Sequence, residues 1–480
     1  MSSLESFLSS FKSAVELLRR HAERGDQIRI VSHSDADGIA AGGALTLMTL
    51  RLGAPFKTSC EKRFHQGLVE ELASEEPPLI IFSDIGSGYL DLIEEHLRGV
   101  DVIVLDHHKP IKAEAEGVIH INPLLHGLDG SREVSAAGLA YLLAEMLDEA
   151  NRDLSILGII GALGDQQDKG ERRGLLGLNT RIEASAKEAG LLETRVDLIF
   201  YGYETRPLAK AIAYTTTPFI PGLSGREDNC VAFLKEVGIE LKSGGRWRAL
   251  RDLSEEEKRR LFSSLSKHLV HEGCSPEMVH ELIGTIFIMR GEENGTPMRD
   301  GREYASLLNA CARMERPGLG LSICLGDRGS AMREAEETLD LYRRRIAEYL
   351  DLVKEGGRIE ELKNIYVLRG RDEIDDRLIG VVASILLSTG MLPKPKPIIA
   401  WASSDEGLIK VSARATEAMA EEGIHLGAVM MEAAEKFQGR GGGHDIAAGA
   451  YLPEELEPGF IELVDRLIGE QRHGGGLDQA

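Results

Sequence analysis

Acids and histidines end three apolar runs of the 480-residue sequence. The three ends read 33-HSDADG-38, 83-SDIG-86 and 106-DHH-108. A further acid, Asp165, follows an apolar segment in 161-GALGDQQD-168. Carboxylates and imidazoles without thiolates are typical ligands of hard or borderline divalent ions such as Mn²⁺ or Mg²⁺. The residue types therefore predict divalent-metal chemistry, provided that the fold brings these short segments together.

A parallel sheet would bring them together, because the carboxyl ends of parallel strands meet at one edge, where open α/β sheets bind ligands. The predicted strands are 28–32, 79–83, 102–105 and 118–121. Helical patterns lie between or after them, at 38–52, 87–97, 135–150 and 153–164. This alternation indicates an α/β fold with crossover helices. The predicted edge would gather eight side chains: His33, Asp35, Asp37, Asp84, Asp106, His107, His108 and Asp165.

So many acids at one edge require a compensating cation, because each buried carboxylate raises the pKa of its neighbours. The surplus of acids indicates two ions that share a bridging carboxylate, about 3.5 to 4 Å apart in sites of this kind. Such a pair activates water and holds a phosphoryl group for in-line displacement.

Net charge, cysteine content and the distribution of apolar residues exclude several kinds of protein. The net charge of −22 argues against bulk attraction of polyanions, so nucleic acid would have to bind through a local groove or a metal site. Five scattered cysteines form no zinc or disulfide pattern. The sequence shows no signal peptide and no membrane-spanning run, which predicts a cytoplasmic protein without a membrane partner.

Changes of pattern along the chain predict four segments. Residues 1–200 form the α/β domain with the acidic motifs, and residues 201–330 are a middle insert with a different composition. A connector helix occupies 331–363, and a mixed α/β domain spans 364–480.

The order and separation of the four acidic motifs resemble the DHH phosphoesterase superfamily. The glycine cluster 440-RGGGHDIAAGA-450 is similar to the signature of its companion domain, DHHA1. Length and further patches, including 305-ASLLNACARM-314 and 410-KVSARA-415, resemble the RecJ-like single-strand-specific exonucleases, in particular the archaeal GINS-associated nucleases. The resemblance implies a parallel-sheet DHH domain (1–200), an insert open to partner binding (201–330), and a DHHA1 domain (364–480), with a catalytic cleft between DHH and DHHA1.

The resemblance also implies a role for each motif residue. It makes Asp84 the bridging ligand, His108 a contact to the phosphate in the transition state, and Asp106 a residue that orients a histidine rather than a ligand. The implied metal ligands are His33, Asp35, Asp37, Asp84, His107 and Asp165.

Substrate-binding residues are predicted in the C-terminal half of the chain. The run 441-GGGH-444 alone favours a flexible loop, but with a neighbouring serine and arginine it predicts a pocket for a phosphate. The candidates are Ser412, Arg414, Gly442, Gly443 and His444, with Asn309 and Arg313 as further contacts to the nucleic-acid backbone. Aromatic candidates for base stacking, each more typical of a core position, are Phe64, Tyr201, Tyr203, Trp247 and Trp401.

The implied function is a metal-dependent, single-strand-specific exonuclease that hydrolyses phosphodiester bonds of DNA by a two-metal mechanism. Mn²⁺ is favoured and Mg²⁺ is the alternative. Three points stay open: whether RNA is also a substrate, whether the protein has roles in DNA replication and repair, and whether it associates with the replisome through GINS. Two other interpretations also stay open: a DHH-family phosphodiesterase for short oligonucleotides or cyclic dinucleotides, and a non-catalytic replisome scaffold.

Overall fold

The structure is a computed structural model that describes residues 3–215, 218–274, 276–388, 392–404 and 407–474. The chain divides into two compact units. The first contains residues 1–214 and 227–339, and the second contains 215–226 and 340–480. In the described ranges, no helix is both long and apolar enough to cross a membrane.

The first unit begins with alternating helices and strands. In chain order they are α1 (Ser3–Arg24), β1 (Ile28–His33), α2 (Ala36–Leu52), β2 (Phe56–Glu61), α3 (Gln66–Glu75), β3 (Leu79–Ser83), α4 (Leu90–His96), β4 (Asp101–Leu105), β5 (Val118–Ile121), α5 (Ala136–Leu147), α6 (Ser155–Gly164) and α7 (Gly177–Glu188).

The five strands form one sheet in the order β2-β1-β3-β4-β5, and every neighbouring pair is parallel. This confirms the predicted parallel sheet. Because the chain places β2 on one side of β1 and β3 on the other, the strand order reverses at β1. The crevice beyond the carboxyl ends of β1 and β3 is where such sheets bind ligands.

Apolar side chains cover both faces of this sheet. Val31, Phe82 and Val104 pack with α3 and α4 on one face, and all three are buried. Helices α2, α5 and α6 pack against one another, and α2 and α5 also contact the sheet. Alternate residues of a strand point to opposite faces, so strands covered on both sides read as continuous apolar runs. That pattern made β1, β3 and β4 recognisable from the sequence.

Strand β2 was missing from the predicted strands. Its sequence, 56-FKTSCE-61, mixes polar and apolar residues, and none of its six side chains is fully buried. It lies at the edge of the sheet, where only one neighbour constrains its composition. An apolar run was therefore not required to form it.

The rest of the first unit contains the middle of the chain. Its elements are β6 (Leu192–Leu198), α8 (Leu208–Tyr214), α9 (Glu227–Glu236), β7 (Lys242–Ser243), β8 (Arg246–Trp247), α10 (Glu255–His271), α11 (Pro276–His280), β9 (Ile283–Met289), α12 (Gly301–Arg313), α13 (Pro317–Cys324) and the first part of α14 (Ser330–Glu355). Strands β6 and β9 pair antiparallel, and β7 and β8 form a short hairpin. Helix α12 packs on α6 and α2, next to the acidic motifs.

The second unit is built on a mixed sheet of six strands. After the last part of α14, its elements are β10 (Ile359–Glu361), β11 (Tyr366–Arg371), α15 (Ile379–Ser388), β12 (Ile398–Ser403), β13 (Leu408–Arg414), α16 (Glu417–Glu421), α17 (Leu426–Lys436), β14 (Arg440–Gly443), β15 (Ala447–Pro453) and α18 (Glu457–Gly474). The strand order is β10-β11-β12-β13-β15-β14. The loop predicted from the glycine run alone is wrong, because Arg440–Gly443 pairs with β15 as an edge strand.

Candidate metal centre

The end of β1 and the start of α2 contribute three side chains to the site, those of His33, Asp35 and Asp37. Asp35 is the N-cap of α2, and one of its oxygens accepts from the backbone N–H of Gly38 at 2.9 Å. Its other oxygen lies 3.1 Å from Nδ1 of His33. Gly38 is required at this turn, because a Cβ there would lie 2.1 Å from the carbonyl oxygen of His33.

Asp37 lies in the first turn of α2 and is buried. Its two carboxylate oxygens accept from the backbone N–H groups of Ala136 and Ala137 at 2.7 and 2.9 Å. These two groups are the first N–H groups of α5, which need acceptors and favour negative charge. A Cβ on Gly161 of α6 would lie 2.2 Å from an oxygen of Asp37, so the glycine in 161-GALGD-165 leaves room for this carboxylate.

Asp84 directly follows β3 and has a φ of 60°, a left-handed conformation that aspartate tolerates better than most residues. One of its oxygens lies 3.2 Å from Nε2 of His107, and the other lies 3.3 Å from Nδ1 of His33. The backbone turn therefore places one carboxylate between the histidines that end β1 and β4. Asp84 is the acid shared by the ends of these strands.

His107 is buried and held by both ring nitrogens. Nδ1 lies 2.6 Å from the carbonyl oxygen of Gly130, so Nδ1 carries a proton and donates it. Nε2 faces Asp84 at 3.2 Å and Asp37 at 3.7 Å. A carbonyl acceptor behind one nitrogen is the usual way in which a metal-binding imidazole is oriented.

Asp106 stabilises the turn that carries the two histidines. One of its oxygens accepts from the backbone N–H of His107 at 2.8 Å, the N–H of His108 at 3.1 Å and Nδ1 of His108 at 2.9 Å. The other accepts from the backbone N–H of Ser87 at 2.9 Å. Both oxygens are thus used by the surrounding loop. This geometry is compatible with the orienting role predicted for Asp106.

Asp165 is the C-cap of α6, and its side chain is 27% exposed. One of its oxygens accepts from Nε2 of Gln167 at 2.9 Å and lies 3.8 Å from Nδ1 of His107. Gln167 is fully buried, and its Nε2 also donates to the carbonyl oxygen of Gly130 at 3.0 Å. The amide of Asn179 donates to Oε1 of Gln167 at 2.7 Å. A chain of amides therefore connects Asp165 to the same carbonyl that orients His107.

Among the residues that the structure describes, potential ligand atoms fall into two groups that share one residue. Within each group the donor atoms lie within 4.8 Å of one another. One group contains Asp84, His107 and His108, and the other contains His33, Asp35 and Asp84. The predicted ligands Asp37 and Asp165 lie beside the first group, near His107. The predicted site residues of the DHH motifs are thus brought together at one edge of the sheet.

The pKa values of Asp37, Asp165 and His107 are shifted because these groups are buried close to other charged groups. Burial, together with the charge of Asp84, raises the pKa of Asp37 to about 8. Burial also raises the pKa of Asp165. For His107, burial works in the opposite direction, but the hydrogen bond to Asp84 and the charges of Asp165 and Asp37 hold the pKa well above the usual range. These shifts show that the buried acids favour the binding of positive charge, either protons or a cation.

The donor set fits divalent cations. Carboxylate oxygens and imidazole nitrogens converge, neither group contains a cysteine, and a cation would replace the protons that the buried acids otherwise require. The predicted ligands His33, Asp35, Asp37, Asp84, His107 and Asp165 are all of these two residue types. Asp84 belongs to both ligand groups, which is compatible with its predicted position between two ions.

Two predicted substrate contacts lie on α12, in the same unit. Oδ1 of Asn309 accepts from the backbone N–H of Ala36 at 3.1 Å. This bond supplies an acceptor for one of the first N–H groups of α2, the helix that contains Asp37. Asn309 therefore stabilises the start of the helix in the motif 33-HSDADG-38. Arg313 is partly exposed at the end of α12.

The other predicted contacts lie in the second unit. Ser412 is buried on β13, and Arg414 at the end of that strand donates from Nε to Oγ of Ser384 at 3.0 Å. A Cβ on Gly380 would lie 3.0 Å from Oγ of Ser412 and 2.7 Å from a guanidinium nitrogen of Arg414, so these groups are adjacent.

The glycine run of the second unit has two different roles. A Cβ on Gly443 would lie 2.6 Å from Cα of Ala448, whereas Gly442 has open space around it. Gly443 is therefore required for strand packing, and Gly442 leaves the backbone accessible. The backbone N–H of His444 donates to the carbonyl oxygen of Ala447 at 2.9 Å.

Sequence reasoning missed the residues that orient the ligands. Gln167 and Asn179 are buried polar residues whose side chains bind partners distant in the sequence, such as the carbonyl oxygen of Gly130, and Ser87 donates its backbone N–H to Asp106. Gln167 lies two positions after Asp165 in the motif 161-GALGDQQD-168, and this was the only signal that could have identified it.

Three family models match the chain, and together they define a class of phosphoesterases. The DHH family N-terminal domain matches residues 27–161, the DHH-CID domain matches 200–283, and the DHHA1 domain matches 363–470. An uncharacterized protein of Methanocaldococcus jannaschii is 32% identical over 450 residues, which cover 92% of this chain and 94% of that protein. The single-stranded-DNA-specific exonuclease RecJ of Dickeya dadantii is 32% identical over 146 residues, covering 28% of this chain and 25% of RecJ.

Solved structures share the fold over nearly the whole chain. RecJ from Thermus thermophilus in complex with Mn²⁺ has a TM-score of 0.59 at 21% identity, covering 96% of this chain and 55% of RecJ. CDC45 from Entamoeba histolytica has a TM-score of 0.67 at 12% identity, covering 96% of this chain and 99% of CDC45. At these identities the likeness concerns the fold alone.

The chain belongs to the DHH/DHHA1 phosphoesterase superfamily, as its motifs predicted, and it is similar to RecJ in part of its sequence and in its fold. It is accordingly a hydrolase. The RecJ match spans only about a quarter of that enzyme, so it does not assign a substrate or a partner to this chain.

Proposed function

We propose that the chain is a divalent-metal-dependent exonuclease that hydrolyses phosphodiester bonds of single-stranded DNA. The observation that carries the proposal is the pair of ligand groups that share Asp84. A site with two sets of oxygen and nitrogen donors around one bridging carboxylate suits two ions, with Mn²⁺ favoured and Mg²⁺ as the alternative. Such ions would activate a water molecule and neutralise charge that develops on the phosphoryl oxygens.

The residues of the chain would orient the reacting groups. His108 is bound through Nδ1 to Asp106, and 42% of its side chain is exposed. Because Asp106 occupies Nδ1, we do not count His108 among the ligands of the first group, where Asp37 and Asp165 lie beside His107. The proposed contact to the phosphate falls to Nε2 of His108. In the second unit, Ser412, Arg414 and His444 with Gly442 and Gly443 are the proposed phosphate pocket, and Asn309 and Arg313 are proposed backbone contacts. The cleft between the DHH and DHHA1 domains stays a prediction, as do the domain boundaries at 200, 330 and 363.

The presence of every predicted ligand in the sequence favours an enzyme over a scaffold. A scaffold does not need buried acids, and placing them together raises their pKa values at a cost in stability. A replisome role can nevertheless coexist with catalysis. The match of residues 200–283 to the DHH-CID domain and the fold shared with CDC45 support a partner-binding role for the insert, with GINS as the proposed partner.

The test is hydrolysis by the purified chain in Mn²⁺ or Mg²⁺. End-labelled single-stranded DNA, RNA of the same sequence, a dinucleotide and a cyclic dinucleotide are compared. Asp84→Asn should abolish cleavage, whereas the matched control Asp91→Asn, an exposed aspartate on α4, should leave it unchanged. Stepwise release of mononucleotides from long DNA supports the proposal. Cleavage of dinucleotides alone would favour the short-substrate phosphodiesterase, and no cleavage of any substrate would contradict both.

The partner proposal has its own test. GINS immobilised on beads should retain the wild-type chain. No retention at micromolar concentrations would contradict the association without affecting the nuclease proposal.

A further inference from the structure

The short hairpin of β7 and β8 presents an exposed tryptophan. Trp247 is 56% exposed, although tryptophan is normally among the more buried residues. Nζ of Lys242, on the paired strand, lies 4.3 Å from the centre of the indole ring. Of the five aromatic residues singled out in the sequence as stacking candidates, Phe64, Tyr203 and Trp401 are buried. Tyr201 is half-buried, and Trp247 is the exposed residue of the five.

The hairpin is positively charged within an acidic chain. Its sequence, 242-KSGGRW-247, contains two cations and no acid, although the whole chain carries a net charge of −22. Neither Lys242 nor Arg246 forms an ion pair with any residue that the structure describes. The next arginine is different, because Arg248 is paired with Glu257 at 2.7 Å. Lys242 and Arg246 therefore keep their charge available at the surface.

The base of the hairpin is held in place while its tip is exposed. Arg248 donates from its backbone to the carbonyl oxygen of Leu241, and its guanidinium binds Glu257 at the start of α10. Gly244 and Gly245 form the tip with positive φ values of 57° and 81°, and a Cβ on either would meet nothing within 4 Å. An anchored base limits the conformational entropy that would be lost when a ligand binds.

We propose that this hairpin is a binding site for an unpaired nucleotide of the substrate strand, with a base stacked on Trp247 and phosphates bound by Lys242 and Arg246. An aromatic face beside cations without counter-ions is the combination by which proteins hold single strands without reading their sequence. A partner protein would also bury an exposed indole, but the two unpaired cations favour a polyanion. The inference rests on the proposed function for the identity of the strand.

Tryptophan fluorescence tests the stacking directly. The chain has two tryptophans, and Trp401 is 4% exposed with its Nε1 donating to Glu457. A thymidine oligomer titrated in EDTA, where no hydrolysis occurs, should quench the emission of the wild-type chain. The emission of Trp247→Phe, which comes from Trp401 alone, should not change. Absence of quenching in the wild type at any oligomer concentration would overturn the proposal, as would equal quenching in both proteins.

Binding measured with a labelled oligomer gives a second readout. Trp247→Ala should weaken binding roughly tenfold, and Trp247→Tyr, which keeps an aromatic face, should restore most of the affinity. The control is Val270→Ala, which truncates another exposed apolar side chain, on α10. Wild-type affinity in Trp247→Ala, or an equal loss in Val270→Ala, would contradict the proposal.

The salt dependence of binding tests the two cations. Each phosphate contact on a single strand contributes about 0.7 to the slope of log K against log salt. The double variant Lys242→Gln, Arg246→Gln should therefore reduce the slope by about 1.4, which is twice 0.7. An unchanged slope would show that the cations do not contact phosphates.

These experiments separate the hairpin from the nuclease. Cleavage of end-labelled single-stranded DNA by the wild-type chain in Mn²⁺ tests the proposed function, whereas quenching in EDTA tests the hairpin. Failure of that cleavage with normal quenching in EDTA would refute the nuclease proposal and leave the hairpin supported. Cleavage without quenching would refute the hairpin alone.

Discussion

Replacing Asp106 with asparagine separates a residue that supports the site from a residue that binds metal. Four donors face the two oxygens of Asp106: the backbone N–H groups of Ser87, His107 and His108, and Nδ1 of His108. An asparagine keeps one acceptor oxygen and replaces the other with an NH₂ group. Whichever way the amide is turned, at least one buried N–H donor faces another donor.

The cost can be worked out from these contacts. A buried hydrogen bond to a charged group contributes about 1.5 to 3 kcal/mol, and an unsatisfied buried donor adds its desolvation. The bonds that remain become weaker, because the acceptor is no longer charged. We therefore expect Asp106→Asn to lower the free energy of unfolding of the metal-free protein by about 3 kcal/mol.

Asp165→Asn is the matched control. Asp165 accepts one hydrogen bond, from Gln167, which an asparagine oxygen can also accept, and its side chain is 27% exposed. The expected loss of stability without metal is below about 1 kcal/mol. Its effect should appear with metal, because Mn²⁺ stabilises the folded protein by about 2.7 kcal/mol at a concentration of 100 times Kd. Asp165→Asn should lose most of that stabilisation, and Asp106→Asn should retain part of it.

The assay is urea unfolding in EDTA and in excess Mn²⁺, followed by circular dichroism. The reasoning is refuted if Asp106→Asn unfolds in EDTA within about 0.5 kcal/mol of the wild type and also shows no response to Mn²⁺. That combination would describe a metal ligand rather than the support of a turn.

Three further predictions follow from other parts of the structure. Gln167→Met removes the amide that connects Asp165 to the carbonyl oxygen of Gly130. The Kd for Mn²⁺, measured by calorimetry, should therefore rise roughly 10- to 100-fold, and an unchanged Kd would contradict this. Arg248 lowers the pKa of Glu257 from 4.5 to about 2, so this pair stabilises the fold above pH 4.5 and the stabilisation is lost as the pH falls towards 2. Glu257→Gln should then cost about 1 kcal/mol at pH 7 and progressively less below pH 4.5 in urea unfolding, and a difference that is independent of pH would refute the ion pair. Removal of divalent ions with EDTA should lower the melting temperature of the wild type but not that of Asp84→Asn, as scanning calorimetry can determine.

The sequence allowed the convergence of the motifs to be predicted for a simple physical reason. Strands covered on both faces are continuous apolar runs, and parallel strands end at the same edge. The residues that follow two such runs, Asp84 and His107, are therefore expected to be neighbours, and they lie 3.2 Å apart. The same reasoning failed for β2, because an edge strand does not need an apolar sequence.

Other features depend on contacts that no local pattern encodes. The side chain of Gln167 is important because it binds the carbonyl oxygen of Gly130, and Ser87 contributes a backbone N–H to the carboxylate of Asp106, which its residue type does not indicate. Trp247 has an apolar side chain that composition alone assigns to the core, yet the short hairpin leaves it 56% exposed. Burial of an individual residue is a property of the assembled fold, so the exposure of Trp247 does not follow from its residue type.

The two adjacent histidines of the motif show why the assembled fold decides function. His107 and His108 share one chemistry and one turn, but the fold fixes their rings with different acceptors. The carbonyl oxygen of Gly130 holds Nδ1 of the buried His107 and directs Nε2 towards Asp84. Asp106 holds Nδ1 of His108, which stays 42% exposed. Because Asp106 also binds the backbone N–H groups of both histidines, a single carboxylate sets the turn that separates the proposed metal ligand from the proposed phosphate contact.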